Sequence, residues 1–558
     1  MSRPLALMLV LAWACRAFAG HADLVIQNGK IVTLAADMPE ARALAIRGSR
    51  IVAISEDENL TQWVGDDTET IDAKGRLVIP GFIEGHGHFL SLGRALQILD
   101  HTQADSWEDI VGQVARAADK AKPGEWILGR GWHQDKWQTV PERNVDGVPY
   151  NDALNNVAPE NPVLLGHASG HAAFANAAAL KAAGITPKTQ DPDGGTIVRG
   201  ADGRATGLLR EKAQALVQNV VPRSTAEGLR QQVRLAGQVA VRHGVTSFHD
   251  AGASFEVIDL YKALEAEGAL PVRLYVMVRG ESLESMALRL SEYLMPIEGN
   301  DFLTVRSIKT QIDGALGAHG ALLLKPYVDL QGSTGLVLEP VADIEATARL
   351  AVEYGYQVNT HAIGTRANRE TLDLYERIWA ESDAEGDKLR WRIEHAQHIH
   401  PDDIPRFGKL GVIAAVQGVH STSDGPWIPQ RLGLKRTQTT SYRWRDLIDT
   451  GAVINNGTDV PVEPIDPIAS FAASVTRVMN NGEAFFPEQA MTRYEALRSY
   501  TLDNAYSAFE DKEKGSLEVG KLADIIVLSD NIMTMPAEQI REAKVDLTIL
   551  GGAVVYAR

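Results

Sequence analysis

The chain is expected to fold as an α/β protein centred on a (β/α)₈ barrel of the TIM type, with a small β-sandwich made by both chain ends and an inserted α/β lid. Three observations point there. Apolar runs begin near Ile83, Val245, Val272, Val305, Gln357, Arg392, Val412 and Val453, mostly separated by helix-like segments, and from Val245 onward at the spacing of ordinary βα units. The 162 positions from Ile83 to Val245 exceed one βα unit of roughly 30 to 40 residues by about 120, so an insertion leaves the barrel after its first strand. The two termini share a different texture, short β-rich runs around glycine turns.

Residues 1–19 have the order of a secretory signal. Met1-Ser2-Arg3 is a charged start, Pro4 to Ala14 an apolar run short for a bilayer span, and Ala17-Phe18-Ala19 a small-x-small cleavage site before Gly20. Cleavage after Ala19 is expected, giving a periplasmic or secreted protein. Cys15 after Leu11-Ala12-Trp13-Ala14 raises a lipoprotein alternative, which Trp13 and the position of Leu11 fit poorly. Cleavage removes the only cysteine, so neither a disulfide nor a thiolate ligand remains, and any metal must rest on nitrogen and oxygen donors. The formal charge of −17 becomes −19 without Arg3 and Arg16. Such an acidic balance argues against nucleic acid or an anionic membrane surface as partner. The partner expected is a small-molecule substrate, with no membrane span in the mature chain and self-association left open.

Residues 20–80 and 511–558 are expected to form the sandwich. Asp23 to Leu34 and Ala43 to Ile54 read as hairpin strands, and Asp524 to Leu528 with Val545 to Tyr556 repeat that pattern. Two independent edge hairpins are the alternative, and these would be marginal alone. Residues 81–98 and 222–510 supply the barrel, and 99–221 the insertion. The insertion leaves from the strand C-terminal face, which makes it the expected lid or pocket wall. Trp132, His133, Trp137, His167 and His171 lie in it, either as its own core or as substrate contacts.

Six residues stand at or near the ends of apolar runs and form the candidate metal set: His86, His88, Lys309, His361, His395 and Asp459. In Phe82-Ile83-Glu84-Gly85-His86-Gly87-His88 the two rings are one residue apart on a strand, so both point the same way. Val305 to Ile308 runs into Lys309, Tyr356 to Thr360 into His361, Trp391 to Glu394 into His395, and Ala452 to Thr458 into Asp459. Strand C-terminal ends are where a (β/α)₈ barrel carries its chemistry. A polar residue capping a strand is the plain reading of any one of them, and the ordered set is what departs from it. Asp313-Gly314 is either an ordinary turn pair or a group that orients substrate or a ligand. His249-Asp250 is either a strand cap or support for one.

These stretches resemble the amidohydrolase superfamily, and within it the YtcJ-like, type 3 branch related to N-substituted formamide deformylases. The resemblance lies in Pro80-Gly81-Phe82-Ile83, Trp126 to Trp132, Lys309 with Asp313-Gly314-Ala315-Leu316-Gly317, Thr360-His361-Ala362, Ile393-Glu394-His395-Ala396-Gln397, Gly457-Thr458-Asp459 and Gly515 to Asp524. It spans essentially the whole mature chain. Glu84 stands where the family usually has Asp, His319 where Arg is common, and Gly418 where Pro is common.

The resemblance implies a metal-dependent hydrolase of non-peptide carbon–nitrogen bonds in an amide, formamide or cyclic amide. It implies two divalent ions, zinc being expected, with His86, His88 and Asp459 on one, His361 and His395 on the other, and an N-carboxylated Lys309 bridging them. Asp459 would move the proton from water to the leaving nitrogen, with Trp132, His171, Asp313, His319 and His420 expected around the substrate. An unmodified Lys309 beside a single metal stays open. So do ester, lactone or carbamate hydrolysis at the same site, and a non-catalytic exported binding protein on the same scaffold.

Overall fold

In the computed structural model, which describes residues 20–57, 59–297 and 301–558, eight parallel strands form one sheet in chain order. They are β1 (Phe82–Gly87), β2 (Val245–Ala253), β3 (Arg273–Val278), β4 (Leu303–Gln311), β5 (Gln357–Ala362), β6 (Arg392–His395), β7 (Ile413–Gln417) and β8 (Ile454–Gly457). Each begins within two residues of its expected start. The expected signal, residues 1–19, lies outside the described residues.

The sheet curls into a nearly closed barrel. Just past β8, Asp459 N donates to His86 O at 2.8 Å, and His88 N donates to Val460 O at 2.7 Å, so the ends of the first and last strands are joined. Asn504 Nδ2 bridges the same seam, donating to Ile83 O at 2.6 Å and Asn456 O at 2.8 Å. Glu84 also reaches across, accepting from Thr458 N and from Thr458 Oγ1 at 3.0 Å. A Cβ on Gly85 would lie 2.4 Å from Asn456 O, so the approach of these strands requires glycine.

Outward-facing strand residues are apolar and lie under helices such as Ala226–Arg242, which buries Val233, Ala236 and Ala240 and begins at a Thr225 cap accepting from Gly228 N. The interior is polar. Its lower end is closed by the buried pair Lys514–Glu510 at 2.6 Å, with Lys514 Nζ also donating to Ser247 Oγ at 2.9 Å.

The chain ends contribute two further sheets. One has four strands from residues 24–72. The other has six and joins Lys30–Val32 and Leu77–Pro80 to Ile525–Leu528 and Val545–Leu550 through the pairing of Leu77–Pro80 with Ile525–Leu528. Both enclose one apolar cluster holding Leu24, Ile46 and Val78 beside Ile525, Val527 and Ile549. Between β1 and β2 a second six-stranded sheet, with Leu99–Asp100 and Gly195–Arg199 as its edge strands, packs apolar clusters that include Trp107, Trp132 and Phe174, and Leu164, Ile197 and Leu209. Among the described residues no helix is long and apolar enough to cross a membrane.

Candidate metal centre

His86, His395 and Asp459 each bring a ligand atom within 4.8 Å of the others, and no other group of three such residues is found among the described residues. Asp459 Oδ1 lies 3.3 Å from His88 Nε2 and 3.6 Å from His86 Nε2. The His395 ring stands 4.7 Å from that of His86 and 4.5 Å from that of His361, so the four imidazoles form a continuous group. Their placement is local. His86 faces inward from β1, His88 opens the helix Phe89–Ala95, His361 and His395 end β5 and β6, and Asp459 follows β8. His395 and Asp459 have φ of +75° and +59°, a strained backbone that only the surrounding fold can hold.

Two imidazoles are anchored at one nitrogen. His86 Nδ1 donates to the Glu394 carboxylate, which Arg392 also holds, and His395 Nδ1 donates to Gln417 Oε1 at 2.8 Å. His86 Nε2 and His361 Nε2 are left buried without a hydrogen-bond partner. An orphaned buried nitrogen needs an explanation, and a cation taking imidazole and carboxylate donors supplies one. Burial pulls His86 and His361 well below the usual imidazole range and His395 to about 4, so all three are neutral lone-pair donors. Burial pushes Asp459 up, but the hydrogen bond with His88 and the imidazoles of His86 and His395 beside it outweigh it and hold the carboxyl well below its usual range. The residues present therefore fit a divalent ion.

Lys309 sits inside β4, 5% exposed, within reach of the charges of Glu394 and Asp459. Burial, reinforced by Arg279, lowers its ammonium to about 8.

The residues expected around the substrate divide. His420 is buried beside His395, ring centroids 6.4 Å apart and nearly parallel, with Gln397 Nε2 donating to its Nδ1 at 3.2 Å. His319 is instead held at 3.1 Å from Asp329, which Arg431 also binds. Asp313 is fully buried and accepts from Leu322 N, Ile363 N and Gly364 N at 2.7 to 2.9 Å, with Oδ1 3.5 Å from His361 Nε2. It ties the loop after β4 to the end of β5, and burial raises its carboxyl to about 7. Trp132 lies in the core of the insertion, its Nε1 donating to Leu165 O at 2.8 Å. His171 lies on the insertion's rim against Gly314.

His249 and Asp250 support rather than reach the cluster. His249 Nδ1 meets Arg392 at 3.2 Å, and Asp250 accepts from Phe89 N, fixing the helix that follows His88. Gly418 N donates to Asn456 Oδ1 at 2.9 Å, a bond that the family's usual proline could not make. Sequence reasoning missed Glu394 and Gln417 as the anchors of His86 and His395. The signal was present in Arg392-Ile393-Glu394, where two charges share the inward side of a strand. It also missed Arg130, which the insertion brings near enough for the charge of Asp459 to act on it.

A family model described as "Amidohydrolase family" matches residues 69–556. The chain is 32% identical over 550 residues to Protein LONG AFTER FAR-RED 3 of Arabidopsis thaliana, covering 96% of this chain and 92% of that one. It is 29% identical to the putative amidohydrolase YtcJ of Bacillus subtilis, covering 95% and 99%. With the N-substituted formamide deformylase of Arthrobacter pascens the identity is 27%, covering 96% and 98%. The crystal structure of an uncharacterized metal-dependent hydrolase from Pyrococcus horikoshii superimposes with a TM-score of 0.74 at 27% identity, covering 92% of this chain and 99% of that one.

Proposed function

The chain belongs to the amidohydrolase family, and we propose that it hydrolyses a non-peptide carbon–nitrogen bond in a small amide, formamide or cyclic amide. The observation that carries this reading is the cluster of four imidazoles, three of them buried, and Asp459 at the strand ends, with His86 Nε2 and His361 Nε2 unpartnered. That the Arthrobacter pascens relative is by name a deformylase of N-substituted formamides supports the choice of carbon–nitrogen over ester cleavage for this chain.

His86, His88 and Asp459 would hold one divalent ion and His361 and His395 a second, zinc being suited to such donors. N-carboxylated Lys309 would bridge them, since an ammonium between two cations is repelled whereas a carbamate is attracted. The depressed Lys309 ammonium leaves a share of neutral amine near neutral pH, the form that combines with carbon dioxide. Divalent ions there supply Lewis acidity, acidifying water and polarising a carbonyl.

The protein's own groups then move the proton. Asp459 takes it from the attacking water and passes it to the nitrogen as the carbon–nitrogen bond breaks. Gln397 donates to His420 Nδ1, so in the neutral ring His420 Nε2 carries the proton and supplies a donor for the carbonyl oxygen as charge builds there. The test is a panel of formamides, cyclic amides and matched esters given to the metal-loaded protein. Amine release that stops on chelation and returns with metal is expected. Turnover of esters with every amide untouched would contradict the reading.

A further inference from the structure

His171 and Glu211, on the rim of the insertion, form a pair that the steps above do not use. His171 Nδ1 lies 3.0 Å from Glu211 Oε2, and the side chains are only 16% and 11% exposed. The pairing is fixed twice, because Glu211 N also donates to His171 O at 2.9 Å. The turn before His171 is braced as well. Ser169 Oγ accepts from His171 N at 3.2 Å, and Gln214 Nε2 donates to Gly170 O at 3.1 Å. Glu211 itself has φ +49° and ψ −128°, a region that residues with side chains rarely adopt. Strain of this kind persists where the fold over-determines a residue, commonly at functional sites.

The imidazole faces the barrel mouth. Its Cε1 lies 3.5 Å from where a Cβ on Gly314 would stand, on the loop that begins beside Asp313. It lies near enough to Asp313 and His361 to bear on both electrostatically. A carboxylate can only accept, so Nδ1 of the neutral ring carries the proton and Nε2 presents a lone pair. Nε2 makes no hydrogen bond among the described residues.

We infer that His171, oriented by Glu211, accepts a hydrogen bond from an N–H of the substrate and so selects N–H-bearing amides, formamides or rings over tertiary amides and esters. The inference rests on the hydrolase reading above and narrows its substrate class. A site built around an acceptor discriminates against a substrate lacking the donor, because the acceptor is then left desolvated and unpaired. His171 is the specificity-determining group and Glu211 its positioning residue.

The experiment measures kcat/KM of the metal-loaded protein for an N–H amide, its N-methyl counterpart and the matching ester. It does so in the wild type, His171→Phe and Glu211→Gln, with metal content and thermal stability recorded for each. The wild type should favour the N–H amide over the N-methyl amide by roughly tenfold or more beyond their intrinsic reactivities. His171→Phe should erase that preference with metal content unchanged. In Glu211→Gln the new amide can donate to Nδ1 and move the proton to Nε2, so the preference should shift toward the ester, an effect that loss of packing alone would not produce. The same N–H preference in all three proteins overturns the inference while leaving the hydrolase reading intact. A wild type that turns over no amide and no ester, fully metal-loaded, overturns both.

Discussion

The barrel and the insertion are both strand-and-helix bodies with aromatic cores, yet they bury different polar groups. The barrel and its loops bury ionisable side chains: Glu84, Lys309, Asp313, Arg392, Glu394 and Asp459. Among the described residues of 99–221, the buried polar side chains are neutral amides, Thr206 and His101. Asn176 shows how the insertion manages this. Its side chain donates to Ala158 O and Asn161 O and accepts from Val163 N and Ala179 N, all between 2.9 and 3.0 Å, so no hydrogen-bonding capacity is wasted. The barrel does the reverse at its mouth, anchoring imidazoles at one nitrogen and leaving the other free. At the mouth the free nitrogens gather around one carboxylate, whereas His101 of the insertion, held by Gln113 with its Nε2 likewise unpartnered, belongs to no group of three candidate ligands among the described residues. His167, in the insertion, has both nitrogens partnered, by Ser169 and Gln134.

The sharpest way to break this contrast is to remove its central carboxylate. Asp459→Ala should lower kcat on the order of 10^4-fold while far-ultraviolet circular dichroism stays that of the wild type. Near-normal turnover would end the proton-carrying role.

Next in size is a charge buried for structure. Arg273 of β3 makes a two-pronged pair with Asp524, just before the chain-end strand Ile525–Leu528, at 2.7 and 2.9 Å, both almost fully buried. Asp524→Ala strands that guanidinium and should cost about 3–5 kcal/mol in denaturant unfolding, without changing metal stoichiometry.

Glu394→Gln keeps the shape but weakens the anchor of His86. Metal affinity, read by competition with a chelator, should fall about 10- to 100-fold. An unchanged affinity would mean that the Glu394 contact does not orient a ligand.

The smallest effect belongs to the insertion. Trp132→Phe loses the bond to Leu165 O and should cost about 1 kcal/mol of stability with kcat/KM unaltered. A large change in kcat/KM at normal stability would bring Trp132 back as a substrate contact.

The barrel was legible in the sequence because each strand is a short apolar run followed by a helix-length segment, and the polar residues at its strand ends interrupt that pattern visibly. The seam was not. Glu84 and Thr458 are far apart in the chain, and nothing local in either predicts the bond between them. The loop after β4 was equally opaque. It carries no helical or strand period, so Asp313 could not be told from an ordinary turn acid until three backbone amides were seen to converge on it. Trp132 and His319 illustrate the same limit, since a tryptophan on a strand or a histidine near a glycine reads alike whether its partner is substrate, Leu165 O or Asp329. The six candidate ligands could be proposed from order alone, but their anchors depend on contacts between strands.

The most direct test of the central claim is metal content per chain, measured by mass spectrometry beside the intact native mass, after loading with zinc and bicarbonate. Two equivalents of metal per chain, with the added mass of one carboxyl group that disappears on acidification, are the result predicted by a binuclear centre bridged at Lys309. Retention of less than one equivalent, with no added mass, would contradict it.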